Sequence, residues 1–105
     1  MLKESIIIYM RDILGITGSD AEELFDCYVE TLEQLCQKLE QAVEQHNVME
    51  IRNITHSIMG SSSNIGANII SEQAAAANMA AKSHDFGSVK SLSQELKKYP
   101  EILRK

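Results

Sequence analysis

The chain has 105 residues, 44% of them hydrophobic, with 15 acidic side chains against 10 basic ones and a net charge of −5. That is enough for one domain around one core, and too hydrophobic for a disordered segment. The acidic balance argues against a nucleic-acid-binding surface, and no apolar run approaches the roughly 20 residues of a membrane span.

Five glycines, one proline and few aromatic residues point to an all-helical chain. The opening stretch SIIIYM is short, follows acidic Glu4 and lacks a small-residue cleavage site, so no signal peptide is expected. Leu2, Ile6, Met10 and Ile13 fall on one helical stripe, with Ile7 and Leu14 beside it. Gly15 supplies a left-handed stop and Ile16 a hydrophobic cover. Ser19 followed by Glu22 reads as a capping box.

A second helix is expected from about Asp20 to Gln45. Phe25, Val29, Leu32, Cys36, Leu39 and Val43 form its core stripe. Leu24, Tyr28, Leu35 and Ala42 widen that stripe, as in a bundle helix that touches more than one neighbour. Cys27 and Cys36 lie about 13 Å apart along such a helix and on opposite faces. They are read as free thiols of a reducing, cytoplasmic protein, and no histidine stands at metal-ligand spacing from them.

Asn47, with Glu50 three residues on, reads as the cap of a third helix carrying Val48, Ile51, Ile54, Ile58 and Ile65. Gly66 marks a break or a tight approach. A fourth helix places Ile70, Ala74, Ala77 and Ala81 on one stripe, small enough for close packing. Asp85 can cap a last helix with Val89, Leu92, Leu96 and Tyr99, which Pro100 ends or kinks. The reading is an all-α, antiparallel up-and-down four-helix bundle with a short additional N-terminal helix. It is a single domain over residues 1–105.

At about 100° per residue, Ile54, Ile58 and Ile65 lie within about 60° of Ile51. His56 falls about 140° away and faces outward, sharing that side with Gly60 and Ser63, while Ser62 points inward. Arg52 stands one helical turn before His56, and Met59 flanks it. Gly60 clears space beside the imidazole, which suits the docking of another protein. Neutral imidazole is a competent nucleophile near neutral pH, and a phosphoryl group is its natural cargo. Periodicity alone, however, reads His56 as an ordinary solvated histidine, like His46 and His84, and GSSS as a loop or turn.

The stretch HSIMGSSSNIGANII resembles the signature of histidine-containing phosphotransfer (HPt) domains. His56 matches the phospho-accepting histidine and Ile58 the aliphatic position. Gly60 matches the first glycine, Ser61 and Ser62 the small pair, and Ile65 with Gly66 the closing aliphatic and glycine. The joints QHNVMEI and SHDFGSV are spaced as in that family, so the resemblance covers about residues 20–99. One position departs from it, because Met59 stands where the family usually has lysine. Arg52 could supply charge instead, or be an ordinary solvated arginine.

The resemblance implies a carrier in two-component signalling. His56 would accept a phosphoryl group from an aspartyl phosphate on a response-regulator receiver domain and pass it on. The partners it implies are receiver domains and a hybrid or sensor histidine kinase, with no nucleic acid and no membrane. The acidic pocket and Mg²⁺ would belong to the receiver. No cofactor or metal is expected in this chain, and no kinase activity, since it has no glycine-rich nucleotide loop. Other readings fit the same residues. They are a degenerate member that binds receivers without accepting phosphate, a helical adaptor with an incidental histidine, and the N-terminal phosphotransfer segment of a larger kinase.

Overall fold

The computed structural model describes residues 2–105, and among them it contains helices and no strand. The elements are α1 (Leu2–Tyr9), α2 (Gly18–Glu44), α3 (Val48–Asn64), α4 (Asn68–Lys82), α5 (Phe86–Leu96) and α6 (Tyr99–Arg104). They form a helical bundle of 42 × 21 × 20 Å. α2 packs on α3, α3 on α4, α4 on α5, and α5 back on α2, so these four close around one core. The contact between α3 and α4 is the most extensive.

The reason lies in side-chain size. Ile70, Ala74, Ala77 and Ala81 are fully buried on α4, and Ile51, Thr55, Ile58 and Ser62 on α3. Small residues on both helices let the backbones approach closely. α2 supplies the bulk, burying Phe25, Val29, Leu32, Cys36, Leu39 and Val43 as its stripe predicts. Cys27, on its other face, is exposed, and both thiols are free.

Three joints end α2, α3 and α4 in the same manner. His46 (φ 51°), Gly66 (φ 77°) and His84 (φ 58°) each take the left-handed conformation. The next residue then donates its N–H back across the last turn: Asn47 to Ala42 at 3.0 Å, Ala67 to Ser62 at 2.8 Å and Asp85 to Ala80 at 2.8 Å. Two joints pass directly into the next cap, as expected. The Asn47 side chain accepts the Glu50 N–H at 3.2 Å, and that of Asp85 accepts the Ser88 N–H at 3.2 Å. Hydrogen bonds from the Ser88 hydroxyl and N–H hold the Asp85 carboxyl below its ordinary pKa. At Gly66 the glycine is required twice over. Its φ is positive, and a β-carbon there would collide with the ring of Tyr9.

The structure corrects the sequence reading at the chain's ends. Ile6 and Met10 are buried, but Ile13 is 65% exposed and Leu14 41%. A turn of π-helix over Met10–Leu14 is the cause: its wider turn rotates the later residues out of the stripe. Gly15 then turns the chain at φ 68°, and the half-buried Ile16 returns its N–H to Met10 at 2.9 Å. The Ser19 capping box does not form. α2 begins at Gly18, with Thr17 at the cap and no side-chain bond there, so Ser19 already lies in the first turn. Ile65 is buried but lies just past α3, as its C-cap.

Pro100 neither ends nor kinks α5. That helix stops at Leu96, and Pro100 sits in the first turn of α6, where its missing N–H costs nothing. Tyr99 belongs to α6 as well. The drive for this extra helix is Leu103, 1% exposed, on an element that packs on α2. The Arg104 guanidinium also donates to the Glu33 carboxylate at 2.7 and 3.3 Å. That pair is exposed and contributes little stability.

One buried polar contact joins α2 to α3. The Tyr28 and Ser62 hydroxyls share a hydrogen bond of 2.7 Å. Burial pushes the Tyr28 phenol up from 10.0 to about 12. Burial, helped by the Glu33 charge, pushes the Cys36 thiol from 9.0 to about 11. Both folded values exceed the unfolded ones. The associated stability is therefore complete below about pH 9 and falls as pH rises toward about 12. Urea unfolding followed by circular dichroism should show this alkaline loss. Tyr28→Phe should cost about 1–2 kcal/mol near neutral pH, because Ser62 loses its partner, and should flatten the loss above about pH 10.

Candidate functional site

His56 stands mid-way along α3 and is exposed, as the helical wheel predicts. Gly60, one turn on, is exposed, and a β-carbon placed on it would meet nothing within 4 Å. On the other side the face opens into a shallow groove of about 670 Å³. Arg52, Asn53 and His56 of α3 line it with Asn78 of α4 and His84 of the following joint. Val48 and Met49 complete it, and Met49 is 75% exposed.

The imidazole is carried on a backbone held from behind by α4. The Asn78 amide donates to the Arg52 carbonyl at 3.1 Å and to the Thr55 hydroxyl at 2.9 Å. Thr55 donates in turn to the Ile51 carbonyl at 2.8 Å. On the far side of His56, Ser71 donates to the Met59 carbonyl at 3.2 Å. The Ser63 and Ser71 hydroxyls share a bond of 2.8 Å. α4 thus grips α3 both before and after the histidine, fixing where the ring leaves the helix.

Each residue singled out from the sequence has a definite place. Arg52 lies in the groove with His56. Gly60 bares the next turn. Ser63 is exposed, but its hydroxyl ties α3 to α4. Met59 is half-buried against the core and presents no charge. Ser62 is fully buried, as its phase requires.

Thr55, Ser71 and Asn78 were not foreseen. Thr55 lies about 40° from Ile51 on the same wheel, so its inward side was legible. Asn78 borders the alanine stripe, where a lone amide signals a polar bond to the neighbouring helix. His84 and His46 are not simply solvated. The His46 ring stacks on Phe86 with centroids 4.3 Å apart, and the His84 ring meets Phe86 edge-on at 5.9 Å.

Among the described residues, no group of three or more histidine, cysteine, aspartate or glutamate side chains could hold a metal ion. Among those residues, too, no helix is long and apolar enough to cross a membrane.

Fold and site together define a helical bundle that displays one imidazole on a bared helix face. A family model described as the Hpt domain matches residues 23–102, and the chain belongs to that family. The match begins inside α2 and ends inside α6, leaving α1 outside it. Membership indicates a role of the phosphotransfer type in two-component signalling, and Hpt domains in such systems interact with receiver domains and kinases. Among curated proteins and solved structures no match was found.

The open space at Gly60 has an energetic consequence. A glycine inside a helix is less favourable than alanine by about 1 kcal/mol, and here the added methyl group meets no neighbour. Gly60→Ala should therefore stabilise the protein by up to about 1 kcal/mol, measured by urea unfolding.

Proposed function

We propose that this protein is a histidine phosphotransfer carrier of a two-component phosphorelay, with His56 as the phospho-accepting residue. It is a single cytoplasmic domain whose α2 to α5 form an antiparallel up-and-down four-helix bundle, with α1 as the additional N-terminal helix. The observation that carries the reading is His56 itself: exposed on a helix held from behind and beside an open glycine, in a chain of the Hpt family.

The partner is a receiver domain bearing an aspartyl phosphate. In the neutral imidazole, one ring nitrogen has a free lone pair, so the attack needs no base. That nitrogen forms the N–P bond as the aspartyl O–P bond breaks in line. The electron pair returns to the aspartate as a carboxylate, and the proton on the other ring nitrogen is exchangeable with water. The protein's part is positioning. Gly60 admits the partner's surface, Arg52 supplies charge beside the ring, and Ser63 with Met59 borders the docking face. A sensor or hybrid kinase supplies the phosphoryl group upstream.

Met59 favours a second reading, a degenerate member that binds receivers without accepting phosphate, since the position carries no cation. Intact mass after incubation with phosphorylated receivers separates the two. A carrier gains one phosphoryl group, acid-labile and alkali-stable, and His56→Gln gains none. Binding without a mass gain establishes the adaptor.

Gly60→Glu should retain helicity and lose transfer, because it sets bulk and negative charge one turn from the imidazole. Met59→Lys should raise the transfer rate or the phosphohistidine lifetime about fivefold, the worth of one exposed charge pair of about 1 kcal/mol. Its stem can cover the same half-buried edge.

A further inference from the structure

We propose that His84 is a docking residue of the His56 groove: its imidazole forms, with Arg52, a hydrogen-bonding flank that receives the phosphoryl-bearing surface of the receiver. This rests on the phosphotransfer reading of His56. The occupant is anionic by its chemistry, since an aspartyl phosphate brings negative charge whatever protein bears it.

The groove brings Arg52, His56 and His84 together, and they are its only charged or titratable lining residues among those described. No carboxylate lines it, in a chain whose net charge is −5. The other charged groups near His84 point to other work. Asp85, the next residue, is engaged with Ser88 at the start of α5. Glu50 of α3 and Lys82 of α4 are exposed outside the groove, and Lys90 of α5 lines a different depression. Phe86, the α5 residue in ring contact with His84, is uncharged. This flank lies on the side of His56 opposite Gly60, and Met59 adds no charge to it.

His84 is also held in place. Its φ of 58° is a conformation that asparagine or glycine reaches at less cost. Its N–H bonds to Ala81 at 3.0 Å, and its ring rests edge-on against Phe86 while remaining exposed. His46 provides an internal control. It takes the same backbone conformation at the matching joint and contacts the same Phe86, yet it lines the depression with Lys90 and not the groove. A role confined to the joint would be shared by both histidines; a docking role belongs to His84 alone.

The test compares wild type, His84→Asn and His46→Asn, since asparagine tolerates the left-handed conformation and preserves each joint. The receiver that engages wild type best, from a panel of receiver domains, is used in two forms. The phosphorylated form gives the transfer rate against receiver concentration. The beryllofluoride form gives the dissociation constant by calorimetry.

His84→Asn should raise the half-saturating concentration about threefold to fivefold, with the maximal rate unchanged. His46→Asn should change neither quantity. Equal half-saturation for wild type and His84→Asn overturns the proposal, as does an equal effect of His46→Asn. If wild type binds receivers but is never phosphorylated, the phosphotransfer reading fails, while the dissociation constants still decide for or against His84. If no receiver binds or labels wild type, both are overturned.

Discussion

The close approach of α4 to α3 is the constraint on which the rest of the molecule depends. It is made by absence of bulk: Ala74, Ala77 and Ala81 on one side, Thr55 and Ser62 on the other, all fully buried. Larger side chains would separate the helices and put Asn78 and Ser71 out of reach of the α3 carbonyls they grip. The same constraint lets Thr55 and Ser62 sit in the interior, because both are partnered. Thr55 bonds within its own turn and to Asn78, and Ser62 bonds to Tyr28 of α2. The site is therefore rigid on its buried side and bare on its outer one.

That division explains how the outer face can be so plain. An exposed imidazole, a glycine and an arginine would be undistinguished on a mobile loop. Mounted on a helix held from behind, they keep a fixed spacing for a partner to meet. The energetic cost of positioning is met in folding, before any partner arrives.

Much of this was legible in the sequence where one periodicity ran undisturbed. The α2 stripe, the alanines of α4, the inward Ser62 and the outward His56 all follow from a turn of about 100° per residue. The caps at Asn47 and Asp85 were readable because their donors lie a few residues away. What failed were features decided by tertiary contact. The π-turn at Met10–Leu14 is a change of pitch that leaves no simple mark in the side-chain pattern, so Ile13 was placed in the core although it faces out. Pro100 was read as a stop because its effect on the preceding helix is local, whereas its role in opening α6 depends on Leu103 finding cover against α2. The groove was hidden for the same reason. His56 and His84 are distant in sequence, and only the joint after α4 brings them to one surface.

The ring of Tyr9 over Gly66 carries a consequence for how the chain can be divided. The family-matched segment begins at Glu23, yet its α3–α4 joint is roofed by a side chain from outside that segment. Ile6 of the same helix and Met10 of the π-turn that follows it, both without exposed surface, fill the core as well. A fragment cut to the matched boundaries would keep every residue of the histidine face and uncover apolar surface at the end of the bundle that α1 closes. Such a fragment would be sticky, and the histidine face would not be the cause.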